Sequence, residues 1–152
     1  MTKEELRIKL TETFTTAAFD ESGQWLGMNV PVLDWLKTAH SLLHYERSPF
    51  DYLFCLTCID WKDRLTMVYH LCSTQTRDTV VVKVDLDRSK PQIESVANIW
   101  RTAEFHEREV YEMFGVDFLN HPDLRLLILP DGWEGKNPLR KDFDDPVNMI
   151  KL

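Results

Sequence analysis

Three consecutive segments rich in β-branched and aromatic residues constrain the fold of this chain more than any other feature. They read FDYLFCLTCID (50–60), RLTMVYHLCS (64–73) and DTVVVKVDL (78–86), and each has the composition of a strand. The short polar linkers WKD and TQTR join them, and connections this short usually join antiparallel neighbours. The pattern therefore predicts an antiparallel meander at the centre of the fold.

Two helical patterns precede the predicted strands. Thr2 and Glu5 have the spacing of a capping box at the start of an amphipathic segment, which we expect to end near Phe14. The stretch VLDWLKTAHSLLH (32–44) carries apolar residues at helical spacing. Between them, WLGMNV (25–30) is extended in character, so we expect it to join the same sheet as about its fourth strand.

A third helical pattern follows the predicted meander. Ser95 is the expected N-cap of VANIWRTAEFHEREVYEMF (96–114), read as one helix or two short ones, and Gly115 is its expected stop. The sequence therefore predicts an α+β domain over residues 1–115. Its helices would pack on a small mixed, mostly antiparallel sheet of about four strands.

The remaining residues, 116–152, have a different character. They contain Pro122, Pro130, Pro138 and Pro146 and show no sustained periodicity, so a helix is not expected. They also carry several large apolar side chains that a short irregular segment cannot bury within itself. We therefore expect an extended, Pro-rich C-terminal arm (116–152) that lies over its own domain or over a partner.

Length, charge and hydropathy argue against several classes of protein. With 152 residues and a formal net charge of −7, the chain has the size of one domain and no broad positive field for nucleic acid. No apolar stretch approaches the roughly 20 residues that cross a bilayer, and MTKEELRIKL lacks the apolar core of a signal peptide. We therefore expect a cytoplasmic protein that reaches membranes only by docking on a membrane protein.

Cys55 and Cys58 form a C-x-x-C motif, which in other contexts binds zinc or works in redox chemistry. They lie in the first predicted strand, where positions three apart point to opposite faces. Only one further cysteine, Cys72, is present, so neither a disulfide framework nor a zinc site is complete. We expect three thiols that behave as ordinary core residues.

Titratable residues cluster in EFHEREVYEMFGVDFLNHPDLR (104–125), and a metal site is one interpretation. A zinc-protease helix uses H-E-x-x-H because both histidines then share one face, but here Val110 stands in the last position. The ligands would have to be His106, Glu109 and His121. Since His121 lies beyond the expected helix end, the spacing does not require such a site.

Two other interpretations of this cluster remain. Glu109 and Glu112 could share a helical face as an acid and base pair, which would require one raised pKa. Alternatively ERE (107–109), HPDLR (121–125) and PLRKD (138–142) form an interaction surface, where arginines pair with carboxylates and apolar residues dock into grooves. The sequence has no phosphate-binding glycine motif and no G-x-S-x-G, which favours the interaction surface.

The stretch EREVYEMFGVDFLNHPDLRLLILPDGWEGKNPLRKDF (107–143) resembles the signature region of the C-type subunit of the proton-pumping NADH:quinone oxidoreductases, the 30 kDa subunit family of respiratory complex I. FDYLFCLTCID, MVYHL and IESVANIW resemble further parts of that family, so the resemblance covers about residues 30–146. The chain differs in having Leu126 where the family has an arginine, and in the longer spacing of WEGKNPL.

The resemblance implies a non-catalytic structural subunit without a cofactor of its own, since FMN, iron–sulfur clusters and quinone belong to partner subunits. It implies two partners, the D-type subunit that lines the quinone cavity and the B-type subunit that carries the terminal iron–sulfur cluster. The implied location is the cytoplasmic face of the inner membrane, with only indirect membrane contact. The equivalent subunit of a membrane-bound hydrogenase or of another quinone-reducing dehydrogenase is the alternative.

The resemblance also implies which residues contact a partner. None of them is expected to be catalytic or to bind a metal or cofactor. They are Glu107, Arg108, Glu109, His121, Asp123, Leu124, Arg125, Trp133, Leu139, Arg140, Lys141 and Asp142.

Overall fold

The computed structural model describes residues 1–150, and within them the chain forms three α-helices and seven β-strands. The helices are α1 (Lys3–Thr13), α2 (Trp35–Leu43) and α3 (Ala103–Phe114). The strands are β1 (Ala18–Asp20), β2 (Leu26–Asn29), β3 (Tyr52–Asp60), β4 (Arg64–Cys72), β5 (Thr79–Asp87), β6 (Gln92–Glu94) and β7 (Asp117–Leu119). A short 3-10 helix, Val32–Asp34, leads into α2.

The main sheet has five strands in the order β1-β2-β5-β4-β3. The meander β3-β4-β5 is antiparallel as predicted, and β2 pairs parallel with β5, placing Leu26 opposite Val80. The expectation of a mixed, mostly antiparallel sheet in an α+β fold is confirmed. The additional strand is β1, which pairs antiparallel with β2 and has only three residues, too few for a periodic signal.

Both N-terminal helices occur where the sequence predicts them. Thr2 and Glu5 form the capping box of α1, since the Thr2 hydroxyl accepts from the Glu5 amide and the Glu5 carboxylate accepts from the Thr2 amide. The C-cap of α1 is Phe14, as expected. Helix α2 buries Trp35 and Leu42 against the sheet, because its apolar residues recur at helical spacing.

The core between the helices and the sheet is built around aromatic side chains. The Trp35 ring lies 4.3 Å from the Tyr69 ring and 6.4 Å from the Trp100 ring, measured between centroids. The Trp100 indole N–H donates to the Phe50 carbonyl oxygen at 2.9 Å. These contacts attach α2 and the turn before α3 to the same face of the sheet.

The expected N-cap at Ser95 is wrong, because α3 begins seven residues later, after Thr102. Residues 96–102 form turns instead, and the Thr102 hydroxyl donates to the Leu53 carbonyl on β3. The Ser95 hydroxyl is engaged elsewhere, since it donates to the Glu107 carboxylate at 2.6 Å. A helix through 96–102 would break these tertiary hydrogen bonds. The expected stop at Gly115 is confirmed, with φ of 77°.

The cysteines are free thiols. Cys58 is buried in the core, while Cys55 and Cys72 are half-buried. Burial raises the pKa of the Cys58 thiol to about 12, and the nearby Asp60 carboxylate adds to the rise, so this sulfur stays protonated at neutral pH. This environment is that of an inert structural cysteine.

The C-terminal arm begins inside the core. Val116 and Phe118 are buried, and β7 pairs parallel with β6 as a second, two-stranded sheet. Beyond β7 no further helix or strand forms up to residue 150. The division of the chain at 115/116 stays a prediction. None of the helices within residues 1–150 combines the length and apolarity needed to cross a bilayer.

Replacement of Gly115 by alanine should destabilise the fold. A Cβ at this position would lie 2.6 Å from the Asn137 side-chain nitrogen, and the positive φ adds strain of about 1–2 kcal/mol for any L-residue. Gly132→Ala is the matched control, because Gly132 has φ of 89° but nothing within 4 Å of the added Cβ. Urea unfolding should show a larger loss for Gly115→Ala, and equal losses would contradict the proposed contact with Asn137.

Candidate interaction site on the third helix and the C-terminal arm

Helix α3 buries three charged side chains, Glu107, Arg108 and Glu112. An unpaired buried charge costs several kcal/mol, so each requires hydrogen-bond partners. Glu107 lies on the core side of the helix with Ala103 and Val110, whereas Arg108 and Glu112, four residues apart, share the side that the C-terminal arm covers. The two sides of α3 therefore hold different parts of the chain.

Glu107 holds the turn before α3. One carboxylate oxygen accepts from the Val96 amide at 2.8 Å, and the other accepts from the Ser95 hydroxyl at 2.6 Å. Burial of this fully covered side chain raises its pKa to about 7, although both hydrogen bonds favour the charged form and oppose the rise. Glu107 therefore changes protonation state in the neutral pH range.

His121 connects the arm to α3. Its Nδ1 accepts from the Asp123 amide at 3.0 Å, so the proton of the neutral ring lies on Nε2, which donates to the Glu104 carbonyl oxygen at 2.9 Å. The same Nε2 lies 3.7 Å from Oε2 of Glu107. Because the nearer contact is the carbonyl oxygen and both ring nitrogens are engaged, we assign His121 a positioning function for the HPD turn.

Arg108 and Glu112 hold an irregular part of the arm, residues 125–129, which we call the pinned segment. Arg108 donates from Nε to the Arg125 carbonyl at 3.1 Å and from Nη2 to the Leu126 carbonyl at 2.6 Å. Glu112 accepts from the three amides of Leu127, Ile128 and Leu129, at 2.9, 2.9 and 3.2 Å. Five backbone groups of a segment without secondary structure thus find partners in two helical side chains.

The backbone of the pinned segment is hydrogen bonded to α3, but some of its apolar side chains are exposed to solvent. Leu127 is 41% exposed and Ile128 is 62% exposed. Phe105 on α3 is also exposed, and the Arg108 guanidinium carbon lies 5.5 Å from the centre of its ring. Fixed backbone with exposed apolar side chains is the arrangement of a preformed contact surface.

A second junction attaches the arm near residue 140. Arg140 donates from Nε to the Phe114 carbonyl at 2.6 Å, where α3 ends, and the Leu139 amide donates to the Met113 carbonyl at 3.1 Å. A cationic side chain is stabilised at a helix C-terminus, because the last carbonyl oxygens have no hydrogen-bond partner within the helix. The Leu139 side chain itself remains exposed.

Asp60, at the end of β3, completes this junction. Its carboxylate accepts from Nε and Nη2 of Arg88 at 2.9 Å each, and from the Lys141 amide at 2.9 Å. Arg88 Nη2 also donates to the Asp142 carboxylate at 3.0 Å. The Arg88 guanidinium holds the pKa of the buried Asp60 carboxyl well below its usual range, so Asp60 is ionised at neutral pH.

Most residues predicted to contact a partner fall into two groups along the arm, around α3 and around Asp60, whereas the Trp133 ring contacts Phe143 and Lys136. Glu107 and Arg108 are buried and bind this chain's own backbone, whereas Asp123 and Arg125 form an exposed ion pair at 2.9 Å. Whether these residues contact a partner stays a prediction. The remaining predicted residues are half-buried or exposed and comprise Glu109, His121, Leu124, Trp133, Leu139, Arg140, Lys141 and Asp142.

The sequence interpretation missed three residues of the site. Glu112 appeared only in the disfavoured acid and base interpretation, and the signal for its actual contacts is its position four residues after Arg108 on the same helical side. Asp60 and Arg88 lie 28 residues apart and meet only because β3 and β5 end on the same side of the sheet. No local sequence pattern marks that pair.

The metal-site interpretation finds no support in the geometry of the part of the chain that is described. Within residues 1–150, no three His, Cys, Asp or Glu side chains converge as metal ligands. His121, which that interpretation used with His106 and Glu109, has both ring nitrogens in hydrogen bonds to the backbone.

Glu107→Gln should remove a pH dependence of stability. The folded state keeps the Glu107 proton up to a pKa of about 7, whereas the unfolded chain loses it near the ordinary value of 4.5. The free energy of unfolding therefore falls as pH rises through this window, by about 3 kcal/mol in total. Urea unfolding between pH 5 and 8 should show this fall in the wild type and a smaller one in Glu107→Gln.

Glu109→Gln is the matched control for that measurement, because the Glu109 side chain forms no hydrogen bond or ion pair within residues 1–150. It should keep the wild-type pH dependence. Asp60 does not obscure the result, since the depressed pKa of its carboxyl confines its own contribution to lower pH. A Glu107→Gln variant with an unchanged pH dependence would show that Glu107 is not the titrating group.

Glu112→Gln should release the pinned segment. The amide offers one acceptor oxygen and turns its NH₂ group towards backbone donors, so at least one of the three amides loses its partner. Loss of a buried partner costs about 1–3 kcal/mol, which corresponds to roughly tenfold or faster amide exchange. Hydrogen exchange at Leu127–Leu129 measures it, with Glu109→Gln again as the control. Unchanged exchange would contradict these contacts.

The chain matches known proteins over most of its length. A family model described as the 30 Kd subunit of respiratory-chain NADH dehydrogenase matches residues 28–147. The NADH-quinone oxidoreductase C/D subunit of Phocaeicola vulgatus is 47% identical over 104 residues, which cover 67% of this chain and 20% of the relative. This chain thus spans about a fifth of that relative.

Two further matches cover more of the related chain. The NADH-quinone oxidoreductase C subunit of Moorella thermoacetica is 40% identical over 123 residues, covering 77% of this chain and 82% of the relative. A chain in the structure of the membrane-bound sulfane sulfur reductase, an archaeal respiratory membrane complex, is 29% identical with a TM-score of 0.78, covering 93% of this chain and 85% of that chain. With its fold, its α3 motif and a family match over most of its length, the chain belongs to the family of the respiratory-chain NADH dehydrogenase 30 Kd subunit.

Proposed function

We propose that this chain is a non-catalytic structural subunit in the peripheral arm of an ion-translocating NADH:quinone oxidoreductase, where it holds the subunit that forms the quinone site. The observation that carries the proposal is the pinned segment, whose backbone is fixed by Arg108 and Glu112 while Leu127 and Ile128 point outwards. Such a surface loses little conformational entropy when a partner covers it.

The chemistry of the arm supports a docking function rather than catalysis. The buried charged groups of α3 are engaged with the chain's own backbone, and their hydrogen bonds hold structure in place. The exposed groups beside them are apolar side chains and the Asp123–Arg125 ion pair. Apolar anchors with a charged rim are typical of a protein interface.

Two partners follow from this proposal. The D-type subunit, which lines the quinone cavity, would cover the pinned segment, and the C/D name of the Phocaeicola vulgatus relative supports that choice. The B-type subunit, with the terminal iron–sulfur cluster, would lie close by. FMN, iron–sulfur clusters and quinone would then be held by partners, and this chain would sit on the cytoplasmic face of the membrane through them.

The match to the sulfane sulfur reductase favours a second candidate, an equivalent subunit in another respiratory membrane complex. The docking surface would work in the same way there, and the electron donor would differ. Purification of the tagged chain from its native membranes in a gentle detergent, with mass spectrometry of the partners, separates the two. Recovery of NADH dehydrogenase subunits supports the first candidate, and recovery of other oxidoreductase subunits supports the second.

Leu127→Ser combined with Ile128→Ser should weaken partner recovery in that experiment. Burial of each apolar side chain contributes about 1.5–3 kcal/mol, so recovery should fall about tenfold or more. The melting temperature of the isolated chain should change little, because both side chains are exposed and their amides still reach Glu112.

Leu33→Ser is the matched control, since Leu33 is 95% exposed and lies in the 3-10 helix before α2. It should leave recovery unchanged. Full recovery with the double serine variant, or an equal loss with Leu33→Ser, would contradict docking through the pinned segment.

A further inference from the structure

Three cationic residues from separate parts of the chain line one small pocket. Lys62 lies in the β3–β4 turn, Arg88 follows β5, and Lys141 belongs to the arm; with Asp142 they enclose about 180 Å³. This grouping stands out in a chain with a formal net charge of −7. A pocket of this size accommodates one carboxylate or phosphate group and is smaller than typical small-molecule sites.

One buried carboxylate organises all three residues. The Asp60 carboxylate accepts from Nε and Nη2 of Arg88 and from the Lys141 amide, as described above. It also accepts from the Lys62 amide at 2.8 Å. The Lys62 backbone has φ of 76°, a conformation that is uncommon for a residue with a side chain, and the Asp60 bond holds it there. Two of the four hydrogen bonds fix the backbone positions of Lys62 and Lys141, and the other two fix the orientation of the Arg88 guanidinium.

The three cationic side chains of the pocket have hydrogen-bond donors that no group of the described chain accepts from. Within residues 1–150, the ammonium groups of Lys62 and Lys141 form no ion pair or hydrogen bond, and Nη1 of Arg88 donates none. Among Asp60 and the four residues that line the pocket, three cationic side chains face two carboxylates. Lys62 and Lys141 are exposed to an incoming group.

Asp142 shows how a carboxylate can bind at this place. It reaches Arg88 Nη2 at 3.0 Å from the solvent side, and its side chain is 67% exposed. An ion pair this exposed stabilises little, so a second carboxylate can join it or displace it. The pocket is also continuous with the arm, since Lys141 and Asp142 follow Leu139 and Arg140 directly.

We propose that Lys62, Arg88 and Lys141 form a pocket that receives an acidic side chain of a partner subunit. This inference rests on the proposed function for the existence of the partner. The continuity of the pocket with the arm favours a protein carboxylate over a free phosphate, because docking of the arm would bring a partner surface to the pocket. Arg88, oriented by Asp60, supplies the directional contact, and the two lysines supply charge.

Zero-length carbodiimide cross-linking of the purified complex tests the pocket directly. The reagent joins a lysine amine to a carboxylate only when the two are in ion-pair contact. Mass spectrometry should find Lys62 or Lys141 linked to an Asp or Glu of another subunit, while Lys37, exposed on α2, should not be linked to that subunit. Links from both pocket lysines only to Asp142 of the same chain, or no links, would overturn the proposal.

A double variant tests the contribution of the pocket to assembly of the complex. Lys62→Gln combined with Lys141→Gln removes two charges without placing a carboxylate beside Asp60, and both backbone amides remain available. Partner recovery should fall about tenfold or more at moderate salt, with an unchanged melting temperature, whereas Lys37→Gln should have no effect. Unchanged recovery would overturn the pocket while leaving the proposed function intact.

Inorganic phosphate provides the other comparison. If phosphate titration shifts the amide resonances of Lys62 and Lys141, and the double glutamine variant still recovers its partners, the pocket binds free anions and the proposal for a partner carboxylate fails. If the wild-type chain recovers no oxidoreductase subunits at all, the proposed function fails first, and the partner assigned to this pocket fails with it.

Discussion

The structure depends on hydrogen bonds from a few buried charged side chains to the backbone of segments that have no regular structure. A backbone amide or carbonyl that leaves water without a partner costs free energy comparable to a lost hydrogen bond. Between β7 and residue 150 the arm has no strand ladder or helix to satisfy these groups. Arg108 and Glu112 on α3, and Asp60 at the end of β3, provide the partners instead.

This arrangement explains why the charges are buried. Glu112 and Asp60 exchange their hydration for three and four hydrogen bonds, so their burial is compensated. Burial raises the pKa of Glu107 to about 7, because its two hydrogen bonds oppose the rise without cancelling it. Helix α3 therefore carries both a well-satisfied carboxylate, Glu112, and one that is close to losing its charge at neutral pH.

In the arm, some residues hold the chain in place through internal hydrogen bonds, and their neighbours present apolar side chains to the outside. Backbone groups and some side chains face inwards and bind α3 or Asp60, which leaves Leu127, Ile128 and Leu139 facing outwards. A partner would then meet a surface whose shape is already fixed. For that reason family motifs that look like a row of partner contacts contain residues whose hydrogen bonds are internal, such as Glu107 and Arg108.

The sequence by itself determined the local elements and the family. The meander, the capping box of Thr2 and Glu5, and the stop at Gly115 follow from periodicity and from residue-specific conformational preferences, which act within a few positions. Only the tertiary structure decided that Ser95 binds Glu107 rather than capping a helix, and that Asp60 gathers Arg88 and Lys141. The physical reason is that a buried carboxylate takes donors from wherever the packed chain places them, irrespective of their distance in sequence.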